Sequence, residues 1–312
     1  MEGPGTDAGR AMMETLETSS GDASETPPEN LVETPSGKSA GDENFPVGSF
    51  LIRADLRPHV HAFYRFARIA DDIADNPALT AEDKVKRLDR MGEILEGAPG
   101  DDSPAATAMR ESLKITGTTA QHCHDVLHAF KLDATKLRYE DWGDLMEYCR
   151  YSASPVGRQL LDLHGESQDC WGPSDALCSA LQVLNHLQDC VEDYQTLDRV
   201  YLPRRELALC GGTIEDLLRP KLTHGLRGTI DLLLDDTDRL IETARGLAPG
   251  VKSFGLRCES AVIVSLAGRL SGLLRRGDPV AGRVKLTKPD FALSLVAGAW
   301  VGTWLGVWSR LK

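Results

Sequence analysis

From about residue 50 onward, apolar residues recur at steps of three and four, and alternating β-branched runs are nearly absent. The pattern predicts helices over roughly 54–75, 80–96, 104–114, 119–130, 141–151, 155–164, 173–194, 203–209, 213–218, 223–247, 251–276 and 279–308. Thr80, ahead of Glu82 and Asp83, reads as an N-cap. Ser174, behind Gly172-Pro173, reads as the start of a long helix, and Pro155 breaks or kinks the chain. The expected fold class is all-α.

Two of these helices carry polar stripes where apolar residues would serve a core. Steps of four, three and four put Tyr64, Arg68, Asp71 and Asp75 on one face, with Arg65 one step aside. The second stripe holds Cys178, Gln182, Asn185, Asp189 and Asp193, flanked by Val183, Leu184, Leu187 and Val191. Carboxylates one turn apart repel, and burial sharpens the cost unless a cation sits between them. A solvated face would be rich in Lys and Glu, and neither stripe contains Lys. Two such helices facing each other would make a cage of hard oxygen ligands. That suits Mg²⁺, which takes a few carboxylates and completes its shell with water and phosphate oxygens. Arg68 is placed to grip anionic oxygens at two points.

At this point the chain resembles the squalene/phytoene synthases. The residues that carry the likeness are FYRFARIADDIAD at 63–75, YCRYSASPVG at 148–157 and NHLQDCVEDYQTLDRVYLP at 185–203. ENFPVGS at 43–49 and GDPVAGRVKLTKPDF at 277–291 bring it nearer the hydroxysqualene-forming branch of the bacterial hopanoid pathway. The resemblance spans about 43 to 291 and implies a single-domain isoprenoid-synthase-type helical bundle with a central cavity.

It also implies roles. Asp71, Asp75, Asp189 and Asp193 would ligate Mg²⁺, with Asp72 and Glu192 behind them. Tyr64, Tyr148, Tyr201, Gln182 and Asn185 would line the cavity where a carbocation forms. Arg68, Arg65 and Arg199 would bind diphosphate. Two positions depart from the pattern: Asp198 stands where relatives usually have Gly, and Gln188 where many have Arg. The implied reaction converts presqualene diphosphate and water to hydroxysqualene and diphosphate. Head-to-head condensation of two farnesyl or geranylgeranyl diphosphates stands as the alternative enzyme, and a membrane-associated scaffold as the non-enzyme. The partners expected are a prenyl diphosphate and the pathway enzymes that supply it.

Composition narrows the setting. A net charge of −12 over 312 residues argues against nucleic acid as a partner. Residues 1–44 carry −8 of it (ten acids, two bases) in a Ser-, Thr-, Pro- and Gly-rich stretch, so 1–42 reads as a disordered acidic tail before a catalytic domain at 43–290. Seven scattered cysteines without a CxxC pair read as reduced thiols in a cytoplasmic protein.

Residues 291–312 end the chain with a run of eighteen uncharged residues, 291–308. Trp300, Trp304 and Trp308 share one face, and Gly298, Gly302 and Gly306 share another. Three readings stay open: a helix packed on the protein's own core, one lying peripherally on the inner membrane, or one that spans it. His124 and His128 have the spacing of a zinc helix but lack its Glu and third ligand. Asp235, Asp236 and Asp238 read as a solvated face.

Overall fold

The computed structural model describes residues 32–33, 51–296 and 298, all within one contact unit, Val32–Lys312. Among them the only strand pairing is a single parallel bridge, Arg138 to Val200. The helices are α1 (Arg57–Asp75), α2 (Ala81–Leu95), α3 (Pro104–Thr116), α4 (Gln121–Thr135), α5 (Trp142–Ser152) and α6 (Ser154–Leu163). They continue with α7 (Trp171–Leu197), α8 (Arg204–Leu209), α9 (His224–Ala244), α10 (Leu247–Gly250) and α11 (Phe254–Arg276).

Local chemistry sets the boundaries. Thr80 caps α2 by accepting from the Asp83 amide, and Ser103 and Asp141 do the same for α3 and α5. Gly117 closes α3 at φ 71°, the left-handed region where a Cβ is penalised. The chain breaks at Ala153, and Pro155 sits in the first turn of α6, where its missing N–H costs nothing.

Three expectations need correction. α7 begins at Trp171, so Ser174 is buried inside it and not its cap. The expected 223–247 helix divides into α9 and the short α10. The expected helix over 279–308 does not start at 279: residues 277–287 are non-helical and the helix begins at Lys288. Asp290 accepts from the Thr287 amide (2.8 Å) and hydroxyl (2.6 Å), and Pro289 occupies the first turn. Thr-Lys-Pro-Asp is therefore a helix start in its own right.

Two residues of the expected disordered tail also depart from expectation. Val32 is buried, and buried Glu33 caps α3, accepting from the Ser103 hydroxyl (2.9 Å) and the Ala105 amide (2.6 Å). Most of 291–308, including Trp300, Trp304, Trp308, Gly302 and Gly306, lies outside the described residues. Gly298 packs against α11, where a Cβ would meet the Val262 nitrogen at 2.8 Å. Among the described residues no helix is long and apolar enough to cross a membrane.

Two apolar cores hold the bundle. One joins α1 to α4 through Phe66, Ile73, Leu88, Met91 and Met109. The other surrounds α7, which packs on α5, α6, α9 and α11, through residues such as Leu184, Leu187, Leu226 and Ile230. Each fully buried side chain of this size contributes about 1.5–3 kcal/mol against exposure. α1 and α7 leave an apolar cavity of about 310 Å³ between them, lined by Phe63, Tyr64 and Ala67 on one side and Leu177, Cys178 and Leu181 on the other. Gly157 of α6 lets that helix close on α7: a Cβ there would meet Ser174 Oγ at 2.3 Å and Cys178 Sγ at 2.7 Å.

Candidate active site

The acidic rows lie near the C-terminal halves of α1 and α7, and every acid in them that the helix turns inward has a cationic or ring neighbour. Arg68 bridges Asp71 (3.0 Å) and Asp72 (3.2 Å). Arg199, just past α7, crosses to α1: Nη1 donates to Asp75 (2.6 Å) and Nη2 to the Ala74 carbonyl (2.9 Å). Its Nε donates to the carbonyl of Asp133 in α4 (2.9 Å). The side chain of buried Asp133 accepts from two phenols, Tyr148 and Tyr201, each at 2.9 Å. Tyr201 stacks on His186 at 3.4 Å between centroids, and Tyr139 stacks on Tyr201 at 5.4 Å.

His186 returns the network to α7. Gln182 Nε2 is 3.0 Å from His186 Nε2, and His186 Nδ1 is 3.8 Å from Asp193. With the amide donating, Nε2 accepts, and the proton of a neutral imidazole sits on Nδ1, facing Asp193. Contacts thus run unbroken from the first acidic row to the second: Asp75, Arg199, Asp133, Tyr201, His186, Asp193. Asp189 meets Arg283, from the segment after α11, at 2.6 Å.

Electrostatics follow from crowding. Burial and the neighbouring Asp75 push the Asp71 carboxyl up to about 8, with Arg68 opposing. Burial also raises Asp189, against the pull of Arg283. Burial and the Asp133 charge push Tyr148 and Tyr201 well above the ordinary phenol range, so both stay neutral donors. Burial works against the charge on Arg199, but Asp133, Tyr201 and Asp75 outweigh it and hold the guanidinium protonated.

Of the expected residues, the contact chain joins Asp75, Arg199, Tyr148, Tyr201, Gln182 and Asp193, while Asp71 pairs with Arg68 on α1 and Asp189 with Arg283. Tyr64 lines the cavity, and Asn185 is half-buried on the stripe of α7. Arg65 does not join them. It is exposed and makes no polar contact with any described residue, because one step around the helix turns it out of the stripe. Glu192 is exposed as well. The histidines of the zinc-like pattern go elsewhere, His124 to Glu96 and His128 edge-on to Tyr151.

Asp133, His186 and Arg283 were not expected. Asp133 continues the buried stripe of Val126 and Ala129 on α4, so an acid at a core position was its one sequence signal. Asp198 adopts φ 52° and is clasped by Arg138, which donates to its carboxylate (2.5 Å) and its carbonyl. Asp tolerates this left-handed geometry better than most residues do.

The family model described as squalene/phytoene synthase matches residues 38–290. The chain belongs to the squalene/phytoene synthase family. It is 45% identical to a hydroxysqualene synthase of Rhodopseudomonas palustris over 83% of this chain and 88% of that one. It is 43% identical to a hydroxysqualene synthase of Zymomonas mobilis over 85% and 90%. A crystal structure of a squalene synthase from Alicyclobacillus acidocaldarius superimposes with a TM-score of 0.67 at 30% identity, covering 76% of this chain and 90% of that one. A dehydrosqualene synthase in complex with ligand, 22% identical with a TM-score of 0.68 over 85% and 93%, shares the fold.

Among the described residues no three His, Cys, Asp or Glu side chains are gathered closely enough to hold a metal ion together. The donor chemistry nonetheless fits a hard divalent cation: crowded carboxylates, one of them held protonated by its neighbours. The proton on Asp71 gives a test. A folded pKa above the unfolded value near 3.9 means this carboxyl works against stability progressively as pH rises from about 4 to about 8. A cation binding there displaces the proton. Its affinity should rise with pH and level off above about 8, with up to one proton released per ion from Asp71 near pH 6. Calorimetry in buffers of different ionisation enthalpy reads that proton; a pH-independent affinity would contradict the assignment.

Proposed function

We propose that the protein converts presqualene diphosphate and water to hydroxysqualene and diphosphate, with Asp71, Asp75, Asp189 and Asp193 holding Mg²⁺. The contact chain joining the two acidic rows carries this reading, together with relatives of that name that match over most of their length. Bound Mg²⁺ would neutralise the leaving diphosphate as a Lewis acid.

The chain's own residues do the rest. Arg68 binds diphosphate oxygens, and the cavity between α1 and α7 takes the isoprenoid tails while excluding water. When the C–O bond breaks, its electron pair leaves with diphosphate and a cation remains. The ring face of Tyr64, which lines the cavity, stabilises that charge. The hydroxyls of Tyr148 and Tyr201 are committed to Asp133 and remain protonated, so neither quenches the cation as a phenolate. Water then forms the new C–O bond, and its surplus proton passes to the released diphosphate or to solvent.

Incubating the purified full chain with presqualene diphosphate and Mg²⁺ should release diphosphate and give hydroxysqualene by mass spectrometry. Consumption of farnesyl diphosphate with accumulation of presqualene diphosphate would refute the assignment. The reading also places the enzyme in the cytoplasm, touching the membrane through 291–308. In the same assay with substrate in vesicles, a 1–290 chain should then turn over more slowly than the full chain.

A further inference from the structure

Residues 277–287 form a strap between α11 and the helix that begins at Lys288. The strap is a built structure. Arg227 of α9 donates to the carbonyls of Leu274 (3.0 Å), Arg275 (3.3 Å) and Gly277 at its root. Asp278 accepts from the amides of Leu222 (3.0 Å), Val280 (3.0 Å) and Ala281 (2.9 Å). Val280, Val284 and Leu286 pack against the α7–α9 core. Buried Gln188 of α7 donates its side-chain amide to the Val284 carbonyl, fixing the backbone beside Arg283. From there Arg283 pairs with Asp189: Nη2 donates to Oδ2 at 2.8 Å, and Nε lies 2.6 Å from Oδ1.

Three arginines thus neutralise the acidic rows, and they differ in freedom. Arg199 is 7% exposed and tied to three oxygens from α1 and α4. Arg68 is 17% exposed and bridges two acids of its own helix. Arg283 is 37% exposed and comes from a strap, not a helix. Solvent screening keeps its pairing weak. A divalent cation carries twice the charge of a guanidinium and competes well for the same carboxylate. Once displaced, the guanidinium is held by the strap beside Asp189, where a trianionic head group would arrive. The Gln188 carboxamide positions the strap that brings this guanidinium to Asp189.

We propose that Arg283 is an exchange cation: it neutralises Asp189 in the unloaded enzyme and binds diphosphate oxygens once Asp189 turns to a divalent metal ion. This rests on the functional reading above, but its test does not use turnover. Full-length wild type, Arg283→Gln and Arg283→Lys are titrated with Mn²⁺ alone and then with inorganic diphosphate at fixed Mn²⁺.

Arg283→Gln frees Asp189, so Mn²⁺ should bind about three- to tenfold tighter, and it removes an anion contact, so diphosphate should bind about tenfold weaker. Arg283→Lys should recover part of the diphosphate affinity. Thermal midpoints should stay within about 2 °C of wild type, since Arg283 is exposed and its ion pair is screened. Unchanged diphosphate affinity in Arg283→Gln overturns the proposal. So does weaker Mn²⁺ binding, which would make Arg283 a scaffold of the metal site. A wild type that binds neither probe would instead remove the functional reading itself.

Discussion

Asp71→Asn should lower turnover on the order of 10³-fold or more while leaving the fold intact. The two consequences have separate causes. Turnover falls because an amide oxygen is a poor substitute for a carboxylate at a divalent ion, and the leaving diphosphate depends on that ion. The fold survives because Asp71 is a like-charge burden: burial and Asp75 push its carboxyl up to about 8, so its ionised form is disfavoured in the folded chain. A neutral amide relieves that burden, and above about pH 8 the variant should melt no lower than the metal-free wild type. Circular dichroism melts beside a diphosphate-release assay measure both. A variant that loses turnover by unfolding would show Asp71 to be structural.

Arg199→Met should produce the largest loss of stability of any single change at the site. The guanidinium offsets the buried Asp133 charge, binds Asp75 and occupies the carbonyls of Asp133 and Ala74. Methionine fills similar volume but leaves a buried charge without its cation, a change of about 3–5 kcal/mol. Adding Asp133→Asn should recover part of the loss, because the charge that needs neutralising has gone. Recovery will be incomplete: Tyr148 and Tyr201 donate to different oxygens of Asp133, and an amide presents one acceptor for the two. Urea unfolding of the two single variants and the double variant measures the coupling. Additive losses would mean that Arg199 and Asp133 act independently.

What the sequence made legible was local. The two carboxylate stripes, the helices that carry them and the Thr80 cap follow from steps of three and four and from capping chemistry. The Asp133 network did not, because its members come from α1, α4, α5 and α7 and from the turn after α7, with no shared spacing. Arg283 was hidden differently. Extending one apolar run back to 279 absorbed the strap into a helix and concealed the Thr287–Asp290 start signal. Arg65 illustrates the limit of adjacency: it neighbours Arg68 in sequence, but one residue along a helix is a turn of about 100°, and the side chain is exposed beside the stripe.

The reversal at Asp198 carries a consequence for both kinds of side chain at its ends. Its left-handed twist lets the amides of Asp198 and Arg199 both reach back to the carbonyl of Asp193, the latter at 3.1 Å. One backbone knot therefore ties down Asp193 of the second acidic row and, a single peptide beyond the bend, aims a guanidinium toward the opposite helix. Acid and girder share one fastening, so neither can drift without dragging the other.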